Sequence, residues 1–63
     1  MDYEDEYETL LESWDGNTNQ DAKLQRDRRA RELRRDGWTV QIDTRHMKTG
    51  SIYSLDGERK KQS

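Results

Sequence analysis

Eight large aliphatic residues (Leu10, Leu11, Leu24, Leu33, Val40, Ile42, Ile52 and Leu55) and no phenylalanine are all that this chain has to build an aliphatic core. That scarcity constrains what it can fold into more than any other feature. A chain of 63 residues forms one domain at most, and domains of this size bury only about 60% of the surface their unfolded chains expose. The two Trp and three Tyr must supply the missing burial, since a large aromatic side chain buries roughly 150–250 Å². With no cysteine, neither a disulfide framework nor a thiolate zinc site can staple the fold. Pooling two thin cores is the remaining device, so the expectation is a homodimer. Apolar runs do not exceed two residues, against about 20 for a membrane-spanning helix. The chain is therefore expected to be cytoplasmic, with no membrane partner.

Charge is segregated along the sequence. Residues 1–16 hold seven acids and no base, whereas residues 17–63 hold twelve bases and seven acids. A head of −7 thus sits on a body of +5 within a net charge of −2. Such asymmetry points to a polyanion-binding body, an internal electrostatic mask, or both.

The head, residues 2–14, places Tyr3, Tyr7, Leu10, Leu11 and Trp14 at spacings of i, i+4, i+7, i+8 and i+11. At 100° per residue these make one apolar stripe with the acids outside it, which predicts an amphipathic helix. The other reading of the same residues is an acidic, aromatic segment that folds only on a partner. Residues 15–19, D-G-N-T-N, predict a loop. Thr18 and Asp21 form a variant capping box that starts a second helix near Asn19.

That second helix, residues 19–36, contains the stretch around which the chain is organised: Q-R-D-R-R-A-R-E-L-R-R-D-G-W-T-V, from Gln25 to Val40. Six arginines (Arg26, Arg28, Arg29, Arg31, Arg34 and Arg35) fall in one helix that Gly37 ends with a left-handed cap. Ala22, Ala30 and Leu33 share one side with Arg26 and Arg29, while Leu24 lies opposite among Arg28, Arg31 and Arg35. Small alanines allow a close approach to a sheet.

Residues 38–43 alternate apolar and polar and predict a strand with Trp38, Val40 and Ile42 inward. Residues 51–55 predict a weaker second strand. The seven residues between them, T-R-H-M-K-T-G, predict a mobile basic loop tip. Asp56-Gly57 ends the strand and residues 57–63 form a flexible tail. The expected fold class is α+β: two helices followed by a two-stranded antiparallel β-hairpin, one small domain, dimeric.

No catalytic or metal-binding motif stands out. His46 is the only histidine and has basic neighbours, with no nucleophile or further ligands nearby in sequence. Glu4, Glu8 and Glu12 share one face of the predicted first helix, but carboxylates at helical spacing usually form a solvated surface. Neither an enzyme, a cofactor nor a small-molecule substrate is expected.

Two binding functions remain. The arginine helix carries +4 over residues 26–35, enough to meet several phosphates of a nucleic acid, DNA or RNA, with Arg45 and Lys48 of the loop tip in support. The competing reading is a solvated face, neutralised by Asp27 with Arg31, Arg28 with Glu32 and Glu32 with Arg35. The second function is a protein-interaction module or inhibitor that docks through Tyr3, Tyr7, Leu10, Leu11 and Trp14 of the acidic helix. That helix could also pack on the arginines and screen them, an autoinhibitory arrangement.

The pattern Asp21-Ala22-Lys23, Arg26, Arg28-Arg29-Ala30 and later Trp38 resembles the arginine-rich RNA-hairpin-binding peptide of lambdoid phage antitermination proteins. The resemblance covers under a third of the chain. It implies an arginine helix in an RNA groove with a tryptophan stacked on a loop base. Here the pattern follows an acidic segment and runs into a strand, which favours Trp38 in the core.

Overall fold

The computed structural model describes residues 6–61 and arranges them as β1 (Tyr7–Asp15), α1 (Ala22–Arg35), β2 (Thr39–Met47) and β3 (Gly50–Lys60). This β-α-β-β order replaces the expected pair of helices and two-stranded hairpin. The strands form one antiparallel sheet in the order β1-β3-β2. The last strand is therefore central, β1 and β2 are the two edges, and α1 crosses one face of the sheet between them. No helix among the described residues is long and apolar enough to cross a membrane.

The largest correction concerns the acidic head, whose described part is a strand and not a helix. The helical stripe through Tyr7, Leu10, Leu11 and Trp14 coexists with a second pattern of period two: Glu8, Leu10, Glu12, Trp14. In the sheet register Glu8 meets Arg59, Leu10 meets Gly57, Glu12 meets Leu55 and Trp14 meets Tyr53, so these four residues share the helix-covered face. The two glutamates conceal the strand from a reading that sorts residues into apolar and polar. Each is neutralised beneath the helix layer: Arg59 donates to Glu8 from Nη2 at 2.7 Å and Nε at 2.9 Å, and Arg29 donates to Glu12 from Nε at 3.1 Å. Tyr3 and Glu4 of the expected helix lie outside the described residues.

The arginine helix is present but begins at Ala22, later than expected. The capping box of Thr18 with Asp21 does not form. Instead Asn19 organises the entry, accepting the Asp21 N–H through Oδ1 at 2.9 Å and the Ala22 N–H through its carbonyl at 3.1 Å. The exit follows the expectation. Gly37 takes φ +94°, its N–H bonds the Arg34 carbonyl at 3.1 Å, and the Trp38 N–H bonds the Leu33 carbonyl at 3.0 Å. This pair of bonds is a Schellman termination, and Trp38 completes it by packing with Leu33 in the core.

Ala22, Arg26, Ala30 and Leu33 are the buried residues of α1, one stripe at helical spacing. Beneath them lie Val40 and Leu55, with Leu10, Trp14 and Trp38 at the margins. Leu55 is the largest side chain buried completely, and burying a leucine contributes about 1.5–3 kcal/mol. Ile42, expected inward, is on the helix-covered face but remains half exposed because β2 is an edge.

The hairpin is longer and tighter than expected. Its register runs from Thr39 with Glu58 to Met47 with Gly50, leaving only Lys48 and Thr49 as the turn. The expected mobile loop is thus mostly strand, and its base is tied down by the Gly16 N–H to the Ser51 carbonyl at 2.7 Å. The expected tail is strand too, through Lys60. Gly57, which the sequence suggests as a terminator, pairs with both Leu10 and Val40. A Cβ there would stand 3.3 Å from Cε3 of Trp38. The glycine therefore marks a close approach of the indole to the sheet and not a strand end.

Candidate nucleic-acid interface

The fold divides the six helix arginines into two sets. Arg26 belongs to the buried stripe and is only 3% exposed. Its Nη1 donates to the Thr44 hydroxyl at 2.8 Å and the Asp43 carbonyl at 2.9 Å, while Nε and Nη2 both meet Oδ1 of Asp27, at 3.0 and 2.9 Å. The guanidinium also lies over the Tyr53 ring, 5.2 Å from its centroid. These contacts clamp α1 to β2 and β3, and every acceptor they use belongs to the protein.

Arg29 and Arg34 occupy the flanks. Arg29 reaches down to Glu12 of β1 and along the helix to Glu32, 3.6 Å away. The Glu12 carboxylate, first by hydrogen bonding and then by its charge, raises the Arg29 guanidinium above its usual pKa. On the other flank Arg34 donates from Nη2 to the Val40 carbonyl at 3.1 Å, with no ion-pair partner among the described residues.

Arg28, Arg31 and Arg35 are exposed and have no hydrogen-bond or ion-pair partner among the described residues. With Leu24, which is 55% exposed, they form a stripe at spacings of four, three and four along the side of α1 opposite the buried stripe. The ion pairs that would have neutralised this stripe are not made. Both acids of α1 turn the other way, Asp27 to Arg26 and Glu32 to Arg29. Towards β2 the surface continues into a shallow groove lined by Lys23, Arg31, Arg34 and Ile42, with the Asp27 carboxylate also on its wall.

Arg45 and Lys48 are placed elsewhere. Arg45 pairs with Ile52 one residue from Thr44, so it lies on the sheet face away from α1, and Lys48 is at the exposed hairpin tip. That open face also carries Asp15, Asp43, Asp56 and Glu58, against Arg45 and Lys60. The molecule is thus polarised, basic over the helix and acidic over the open sheet. His46 contacts only the Ser51 hydroxyl, at 3.1 Å. No group of three His, Asp or Glu side chains among the described residues could hold a metal ion.

The residues proposed for protein docking are separated by the strand. Leu10 and Trp14 face the core, Tyr7 and Leu11 face the open side, and Tyr3 is outside the described residues. Among the described residues, Glu8 and Glu12 of the head pair with Arg59 and Arg29, and no head acid pairs with the outer stripe. Sequence reasoning missed Arg59, whose guanidinium is held by Glu8 and stacked 4.8 Å from the Trp38 ring centroid. The Trp38 face is therefore engaged within the protein and not available as a base-stacking platform. No protein-family model matches the chain, and comparison with curated proteins and with solved structures gives no match either.

Proposed function

We propose that the protein binds nucleic acid through phosphate contacts made by the outer side of α1, with Arg28, Arg31 and Arg35 as the primary contacts and Lys23 and Arg34 at the flank. The observation that carries this reading is the orientation of the helix acids, which pair with the inward arginines and leave the outer three without an ion-pair partner among the described residues. At 1.5 Å rise per residue the stripe spans about 10 Å. That length corresponds to about three phosphates at 3.4 Å per phosphate along one strand. Arg26 has no part in the contact, because its donors are used within the core. Nothing in the stripe reads base edges, so the binding is weakly selective for sequence. On this reading the protein acts in the cytoplasm, as an accessory or regulatory factor with no catalytic step.

Titrating short single-stranded, double-stranded and hairpin nucleic acids over a range of salt tests the proposal. Three phosphate contacts give a slope of log K against log salt of roughly −2.7 on a duplex and roughly −2.1 on a single strand. Replacing Arg28, Arg31 and Arg35 together by Glu removes the binding while leaving the circular dichroism spectrum unchanged. Binding that survives this triple change would refute the assignment.

A further inference from the structure

The two edges of the sheet are built differently. At β2 the edge-facing Val40 carbonyl already accepts from Arg34, and Asp43 and Arg45 put charge on its open face. Such covered, charged edges resist pairing with another strand. At β1 the open-face residues Tyr7, Thr9, Leu11 and Ser13 are uncharged and the one open-face charge, Asp15, stands at the strand's end, while Leu11 is 77% exposed at the centre of a nine-residue strand. The charges that could guard this edge, Glu8 and Glu12, point to the helix side, where Arg59 and Arg29 neutralise them.

We propose that β1 is the interface of a symmetric dimer, pairing antiparallel with β1 of a second copy about Leu11 to make a six-stranded sheet. The register follows from the sequence of β1. Centred on Leu11, it pairs Leu11 with its own copy, Thr9 with Ser13, Tyr7 with Asp15, Leu10 with Glu12 and Glu8 with Trp14. No like charges stand opposite one another, and all nine residues are used. Shifting the centre to Leu10 sets Glu8 against Glu12, and shifting it to Glu12 sets Glu12 against itself, both of which cross-strand repulsion disfavours. Shifts to intermediate centres turn the second copy over, setting Leu11 against core-side residues. The same register puts both helices on one face. Their supporting β3 strands are three strand spacings apart, about 14 Å, so two outer arginine stripes lie side by side. The dimer does not depend on the phosphate reading and is tested without a ligand.

Sedimentation equilibrium of the full chain across a wide concentration range decides it. A mass approaching twice 7.6 kDa is expected. Leu11→Lys sets two ammonium groups against each other at the symmetry axis and should weaken association by about tenfold or more, a change of 1.4 kcal/mol. Should that variant lose its circular dichroism spectrum, Thr9→Lys combined with Ser13→Lys, both exposed on the same strand face and set opposite one another across the axis, carries the same test. Gln41→Lys on the β2 edge should leave the dimer intact. A wild type that stays monomeric throughout, a dimer indifferent to both β1 changes, or one dissociated by Gln41→Lys alone would overturn the proposal.

Discussion

The inner and outer sides of α1 carry the same residue for opposite purposes. Arg26, Arg29 and Arg34 each find an acceptor in the protein, whereas Arg28, Arg31 and Arg35, one or two positions away, find none among the described residues. The residue type does not decide which role an arginine plays. The decision rests with the 100° step of the helix and with what lies under each side. Where the sheet offers a carboxylate, a carbonyl or a ring face, the guanidinium becomes a clamp; where it offers only water, the charge stays available.

The sharpest way to break this contrast is Arg26→Ala. It removes the clamp, leaves the Asp43 carbonyl and Thr44 hydroxyl without their donor, and opens space beside Tyr53. We expect a loss of about 3 kcal/mol in urea unfolding. In a domain of this size that lowers Tm by more than about 10 °C. A change no larger than that of a surface residue would mean the clamp is not structural. Arg34→Ala should cost less, about 0.5–1.5 kcal/mol for its one hydrogen bond to the Val40 carbonyl, and should also weaken polyanion binding modestly. It is the one inward-reaching arginine expected to affect both measurements.

A double-mutant cycle of Arg29→Ala with Glu12→Ala should give a smaller coupling that fades as salt is added, since both side chains remain partly exposed. Coupling that persists at high salt would place this pair with Arg26. The smallest stability effect belongs to Arg28→Ala, Arg31→Ala and Arg35→Ala. Each should leave the unfolding midpoint nearly unmoved, because surface substitutions away from specific contacts usually fall within about 0.5 kcal/mol. Each should nonetheless reduce the salt slope of nucleic-acid binding by about one. Unfolding by any of these three would move the outer stripe into the structural class.

The contrast was only partly legible in the sequence. Helical spacing put Ala22, Ala30 and Leu33 with Arg26 and Arg29, and Leu24 with Arg28, Arg31 and Arg35, and the fold keeps both groups. Spacing could not indicate which arginines would be engaged, because that depends on the Glu12 carboxylate, the Asp43 carbonyl and the Thr44 hydroxyl, which are distant in the chain. It likewise gave no warning of Arg59 against Trp38. The nearest sequence signal was the alternation Glu8, Leu10, Glu12, Trp14, which becomes readable only when an inward glutamate is allowed an arginine partner.

Local chemistry by itself determined the arginine helix, its end at Gly37 and the strand that follows through Val40. In each case the deciding interactions span a few residues: helix propensity, a left-handed cap, and period-two alternation. Only the tertiary structure decided that Tyr7–Asp15 of the head is a strand, that Gly57 lies inside a strand and that the hairpin closes in a two-residue turn. A strand has no hydrogen-bond partners of its own, and β1 acquires its partners from β3, about forty or more residues away. Its two inward charges become tolerable only when Arg29 and Arg59 arrive from other elements to meet them.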